Sequence, residues 1–217
     1  MMIMVKVTWI GHASFMLESA GKRIYIDPYE LSEEYSKLPA DVIFITHEHG
    51  DHFDESSVKL IFHGKTEVVC PITCNGPIKK FNAKGVVPDD KGSASGFEFQ
   101  AIRAYNPNKR FHPKSNNWLG YIINIENHKI MHTGDTDYIP EYESLEGKVD
   151  LALLPVGDNY TMDFNDGIKT IGAIKPQYVI PMHLWAKDPN EFKKLSEKEF
   201  PDTKIIVLSD LNKTFKF

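Results

Sequence analysis

His47, Glu48, His49, Gly50, Asp51 and His52 place three histidines and two acids in six consecutive residues. They follow an apolar run, residues 42–45, that reads as a strand. His47 and His49 are two apart, so in an extended chain both imidazoles leave the same face and can reach one metal ion. Gly50 lets the chain turn, after which Asp51 and His52 reach a second ion. Ligands in a loop at the end of a strand are a common way to build an active site. Imidazole with carboxylate suits zinc or manganese, and iron also fits. A closed structural zinc site normally uses cysteine, and Cys70 and Cys74 lie away from these histidines.

The elements that must position this segment are mostly short strands with turn signals between them. Runs at 5–10, 14–18, 23–26, 42–46, 68–70, 97–101, 121–125, 129–132, 151–154, 178–181 and 204–208 read as strands. Gly21-Lys22 and Glu126-Asn127-His128 read as hairpin turns. Helices are expected over Phe164–Ile174 behind the cap Asp163, and over 189–200 behind Asp188 with Pro189 at the first position. In the latter, Phe192, Leu195 and Phe200 are expected to face inward. Two shorter helices are expected near 55–62 and 139–145. The order is antiparallel strands first and helices between the later strands, an α+β pattern. A four-layer αββα sandwich buries such a set, and other α+β arrangements do as well.

With 217 residues, 41% of them hydrophobic and 25% charged, the chain reads as one globular domain over 1–217. Folding at this size buries roughly 70% of the unfolded surface. The net charge of −5 argues against a general nucleic-acid binder, which would show a basic face. Two cysteines are too few for a disulfide framework and read as core thiols in a reducing compartment, so a cytoplasmic location is expected. The start, Met1-Met2-Ile3-Met4-Val5-Lys6-Val7, reads as a strand rather than a signal peptide. No apolar run approaches the roughly 20 residues of a membrane span, so no membrane partner is expected. The expected partner is a small-molecule substrate, and a homo-oligomer is open.

Thr46-His47-x-His49-x-Asp51-His52 resembles the HxHxDH signature of the metallo-β-lactamase fold superfamily. Thr133-Gly134-Asp135-Thr136 resembles that family's Gly-Asp segment, whose Asp bridges two metals, and Pro181-Met182-His183 resembles its last His ligand. Gly11-His12-Ala13-Ser14-Phe15, Ile26-Asp27-Pro28 and Leu153-Leu154-Pro155-Val156-Gly157 with Tyr160-Thr161-Met162 are similar to a subgroup of small metal-dependent hydrolases akin to ascorbate-6-phosphate lactonase. The resemblance spans about residues 5–210 and implies the αββα fold. It also implies two divalent ions, one on His47 and His49, the other on Asp51, His52 and His183, with Asp135 shared. The family's mid-chain His is missing after strand 97–104, where Tyr105-Asn106 stand. His112 is taken as the third ligand of the first ion. His12 is implied as a proton shuttle or substrate contact, and Asp27 as a group that orients a metal-bound imidazole. His132, three before Asp135, is a further candidate for that orienting role.

Two ions a few ångströms apart would let hydroxide form from water at neutral pH and attack carbonyl or phosphorus. The leaving group would take its proton from water, Asp51 or His12. Arg103 and Arg110 are two of only three arginines and, with Lys109 and Lys114, form a basic stretch around His112. If it is more than a solvated loop, Arg103, Arg110 and Lys114 would bind an anionic substrate. The expected activity is metal-dependent hydrolysis of a small anionic ester, lactone or phosphodiester. An iron-dependent oxidoreductase or dioxygenase and a nuclease are the alternatives on this fold.

Overall fold

β1 (Lys6–Gly11), β2 (Ser14–Ser19) and β3 (Lys22–Ile26) form an antiparallel meander. The computed structural model describes residues 4–217, so the strand reading of Met1, Met2 and Ile3 lies outside the described residues. From β3 the sheet continues in parallel through β4 (Val42–Phe44), β5 (Glu67–Pro71) and β6 (Lys84–Val86). Helix α1 (Glu55–Ile61) lies between β4 and β5 in the chain, and α2 (Asn75–Phe81) between β5 and β6.

The second half of the chain repeats this scheme. β7 (Lys91–Ala94), β8 (Phe97–Arg103), β9 (Leu119–Ile125) and β10 (His128–His132) are antiparallel. β11 (Leu151–Pro155), β12 (Tyr178–Met182) and β13 (Lys204–Ile205) then add in parallel, with α3 (Phe164–Ile174) and α4 (Pro189–Glu199) between them in the chain. β14 (Thr214–Lys216) returns to pair with β1. The sheet orders are β14-β1-β2-β3-β4-β5-β6 and β13-β12-β11-β10-β9-β8-β7. The two-residue turns Ala20-Gly21 and Glu126-Asn127 have positive φ throughout, the geometry whose twist suits a tight hairpin.

Alternation along the strands divides the apolar residues between two faces. Phe15, Leu17, Ile24, Ile26 and Phe44 of one sheet meet Phe99, Tyr121, Ile123, Leu153 and Ile180 of the other in the central core. Met16, Tyr25 and Ile43 point outward under Val58 and Ile61 of α1 and Phe81 of α2. Met131, Leu154 and Val179 point the other way, under Ile168, Ile171 and Ile174 of α3 and Phe192 of α4. These layers make a four-layer αββα sandwich. Cys70 and Cys74 are free and buried within the first helix layer, where burial raises the Cys70 thiol to about 12. Among the described residues no helix is long and apolar enough to cross a membrane.

Several local expectations shift. The helix expected over 139–145 is a 3-10 helix over Pro140–Leu145. The strand expected over 204–208 closes after Ile205. α2, β6, β7 and β14, which carry little apolar alternation, are further elements of the structure. In α4, Phe192 is fully buried but Leu195 is 41% exposed, because Phe192 and Ser196 form the buried stripe. Phe192→Ala should therefore lower unfolding free energy by about 3–5 kcal/mol, while Leu195→Ala should change it by less than about 0.5 kcal/mol. Urea denaturation of both variants checks this, and equal losses would contradict the packing of α4.

Candidate metal centre

The carboxyl ends of β1, β3, β4, β8, β10 and β12 carry His12, Asp27, the 47–52 segment, the loop to His112, Asp135 and His183. Asp27 organises the first part. Its backbone turns left-handed at φ 47°, which sends the carboxylate across to the end of β4. There it accepts from Thr46 N–H (2.7 Å) and the Thr46 hydroxyl (2.6 Å), and it lies 2.7 Å from His52 Nδ1. The Thr46 hydroxyl in turn sits 2.9 Å from His47 Nδ1. With both Nδ1 atoms occupied in this way, His47 and His52 present Nε2 to the interior. Thr46 was not singled out from the sequence as the link between Asp27 and His47.

Three overlapping groups of ligand atoms result, each with its atoms within 4.8 Å of one another: His47, His49 and His112; His12, Asp51, His52 and His183; and His47, His52 and Asp135. His47 Nε2 and His49 Nδ1 are 3.1 Å apart. The Asp135 carboxylate lies between the first two groups, 3.3 Å from His52 Nε2, 3.4 Å from His112 Nε2 and 3.2 Å from His183 Nε2. Asp135 Oδ1 and the Nε2 atoms of His52, His112 and His183 are buried without a hydrogen-bond partner. Buried polar atoms are seldom left so, and bound cations would satisfy them. The donor set therefore fits a metal centre.

The electrostatics leave His47, His112, Asp51 and Asp135 in the form a cation needs, whereas His52 would give up a proton on binding. Burial holds His47 well below the ordinary imidazole range and brings His112 down to about 4, so both are neutral donors at neutral pH. Burial would raise the Asp135 carboxyl, but His52 and His183 outweigh it and hold Asp135 ionised. Burial would likewise lower His52, and Asp135 and Asp27 overcome it and keep that imidazole protonated while the carboxylates are its only partners. Asp51 falls to about 2, its desolvation outweighed by the bond from His12 and the charge of His52.

His112 reaches the cluster although it stands six residues beyond Asn106. The intervening residues fold back on themselves, Asn106 N–H donates to the His112 carbonyl (2.9 Å), and His112 takes φ 54°. Lys109 secures this loop by donating to Asp137 Oδ1 (2.7 Å), the Asp158 carbonyl (2.7 Å) and the Thr161 carbonyl (2.5 Å). His183, at φ 52°, lies against Gly157, where a Cβ would meet the His183 carbonyl at 2.1 Å. His132 does not touch a ligand. It lies 2.8 Å from the Ala13 carbonyl and accepts from Gly134 N–H (3.1 Å), which anchors the turn into Asp135.

The basic stretch around His112 does not gather on an anion site. Arg103 lies 3.9 Å from Asp89, Lys114 lies 2.9 Å from Glu141, and Arg110 is exposed with no ion pair among the described residues. These cations are near in sequence, whereas the loop turns them apart. Trp118 and Trp185 also stand beside the ligands, Trp118 4.8 Å from His47 and Trp185 5.9 Å from His183, with no motif around them to mark it. The signal was present in composition, because the chain has only three tryptophans.

Asp27→Asn keeps the shape but lacks the charge that orients His52. It should weaken metal affinity about 10–100-fold while circular dichroism stays unchanged. Chelator competition measures this, and wild-type affinity in the variant would remove Asp27 from that role.

Residues 6–183 match the family model described as a beta-lactamase superfamily domain. A UPF0173 metal-dependent hydrolase of Pyrococcus furiosus is 31% identical over 94% of this chain and 96% of its own. Another, from Thermococcus onnurineus, is 33% identical over 88% and 92%. A metallo hydrolase from Ignicoccus hospitalis superposes with a TM-score of 0.84 at 25% identity, covering 99% of this chain and 98% of its own. These relatives do not show the narrower likeness to ascorbate-6-phosphate lactonase. Held in sequence and fold over nearly its whole length, the likeness makes this chain a member of the β-lactamase superfamily and one of its metal-dependent hydrolases.

Proposed function

We propose that the chain hydrolyses a small ester, lactone or phosphodiester at a centre of two divalent ions, working as one domain. His47, His49 and His112 would hold one ion, Asp51, His52 and His183 the other, and Asp135 would be shared. The observation that carries this reading is the set of partnerless Nε2 atoms of His52, His112 and His183 around the buried Asp135 carboxylate. The imidazole and carboxylate donors suit zinc or manganese, with iron as a third choice.

Such ions, when bound, polarise a carbonyl or phosphoryl oxygen and make water acidic enough to supply the nucleophile near neutral pH. The chain's own residues do the rest. Asp51 stays ionised and lies 3.1 Å from His12 Nε2. His12 is partly open to solvent, so its Nε2 can pass a proton to a departing alkoxide and recover it from bulk water. Asp27, through Thr46, keeps the His47 and His52 rings fixed while charge builds nearby. Free, buried Cys70 and Cys74 support the proposed cytoplasmic location.

Metal-saturated protein should contain two ions per chain by elemental analysis, and Asp135→Ala should hold one or fewer and lose activity on every ester, lactone and phosphodiester tested. Removing the ions with a chelator should abolish hydrolysis, lower Tm by several degrees and leave a cooperative transition, because three apolar clusters exist apart from the ligands. A saturated wild-type stoichiometry of one would overturn the dinuclear reading.

A further inference from the structure

Phe111 and Trp185 are the two large aromatic side chains that stand exposed among the described residues, at 46% and 61%. Both belong to one arc beside the metal-ligand cluster. The Phe111 ring lies 4.7 Å from Tyr160, Tyr160 lies 5.9 Å from Trp185, and Trp185 lies 5.8 Å from His12 and 5.9 Å from His183. Trp118 closes the other side, 4.8 Å from His47 and 4.7 Å from His49. An apolar surface this close to a reactive centre marks a place where a ligand is held.

Two features show that the arc is built. Trp185 takes a left-handed backbone, φ 49°, a conformation that a bulky residue adopts only when its surroundings impose it. Gly157 lies under it, and a Cβ there would come within 2.8 Å of Trp185 Cδ1. Only a glycine leaves room for the indole at this position. Tyr160 is tied down from behind, its carbonyl accepting from Asn106 Nδ2 at 2.6 Å.

The charges nearby select the kind of group that fits. Lys109 is committed to Asp137, Lys114 to Glu141 and Lys187 to Asp158. Arg110 alone is unpaired among the cations of this loop region. A substrate held chiefly by an anionic group would need several donors converging, as bidentate recognition of carboxylate or phosphate does. Tilted and edge-on rings instead favour a neutral planar group.

We infer that Phe111, Tyr160 and Trp185 form the substrate-selecting wall of this site and take the neutral aromatic or similarly flat apolar portion of a hydrolysable ester. The inference rests on the hydrolase reading for the bond that is cut, and on the arc alone for the group that is recognised.

Two measurements separate these. The first compares kcat/KM for methyl phenylacetate and methyl acetate, followed by proton release from metal-loaded protein. The wild type should favour the phenylacetyl ester, and Trp185→Ala or Phe111→Ala should reduce that ratio about tenfold, the size of one lost aromatic contact. Leu195→Ala, on the exposed face of α4, should leave the ratio unchanged. The second uses saturation-transfer NMR with phenylacetamide and acetamide, which needs no turnover. Ring protons of phenylacetamide should receive saturation from the wild type and lose it in Trp185→Ala.

An unchanged ratio together with unchanged saturation in both variants would overturn the wall. Ring binding that is lost in the variants, without hydrolysis of either ester, would leave the wall standing and overturn ester hydrolysis. If a second copy of the chain covers the arc instead, the wild type will sediment as a dimer, Trp185→Ala as a monomer, and no ring saturation will be seen. That result would also overturn the proposal.

Discussion

An ionised carboxylate buried at the seam of two sheets is the constraint on which this structure turns. Removing such a charge from water costs several kcal/mol unless opposite charge meets it in good geometry. Asp135 lies 3.2–3.4 Å from three imidazole nitrogens, of which His52 and His183 offset its charge, and each comes from a different part of the chain. His52 follows β4 in one sheet. His112 sits on the loop between β8 and β9, and His183 follows β12 in the other. No single element supplies more than one of these partners. The separation of the sheets, and the inter-sheet packing of Phe44 with Phe99 and Tyr121 that sets it, thus decides whether Asp135 is neutralised.

Bringing strand ends together in so small a volume requires the chain to turn sharply where it leaves each strand. His12, Asp27, His112 and His183 all have φ between 47° and 54°, and Gly134 has φ 64° just before Asp135. For a residue with a Cβ, such backbone costs of order 1–3 kcal/mol. Local bonds hold it in place. Asp27 N–H donates to the Phe44 carbonyl at 2.9 Å, and His183 N–H donates to the His12 carbonyl at 3.2 Å. The latter bond joins the two sheets at the site itself. The left-handed turns that aim these side chains are part of the site, and the three apolar clusters lie elsewhere.

This distribution explains what the sequence could disclose. The 47–52 segment was legible by itself, since ligand spacing on one strand and turn is a local property. Strands with strong alternation were legible for the same reason, and their layering followed from the faces they present. Asp135 and His183 needed a resemblance to a family, because nothing local distinguishes an aspartate after Gly134 from one in any turn. His112 was reached as the nearest histidine. The loop closure that delivers it, Asn106 N–H to the His112 carbonyl, joins residues whose types do not announce it. Leu195 went wrong because its spacing from Phe192 fits an inward face, yet the sheet beneath α4 admits only the Phe192–Ser196 stripe. Arg103 and Lys114 are close to His112 in sequence, yet each lies beside a separate carboxylate, a placement that sequence proximity does not disclose.

The site therefore has two layers made by different physics. Its floor consists of residues at strand ends, each fixed by at least one further group: His47 by Thr46, His52 by Asp27, His183 by the close approach of Gly157. Changing one of these disturbs the others, so the chemistry they support is hard to alter piecemeal. The mouth consists of Phe111, Tyr160 and Trp185 on loops, where Phe111 and Trp185 are exposed and Tyr160 is half-buried between them. A substitution there changes what is recognised without moving Asp135 or its partners. Lys109 joins the layers, since one ammonium group ties the loop carrying Phe111 and His112 to the segment carrying Tyr160. That bond makes the position of the selecting surface depend on the loop that also delivers a metal-binding imidazole. Recognition of the apolar group and alignment of the reacting bond are thereby set by the same piece of backbone.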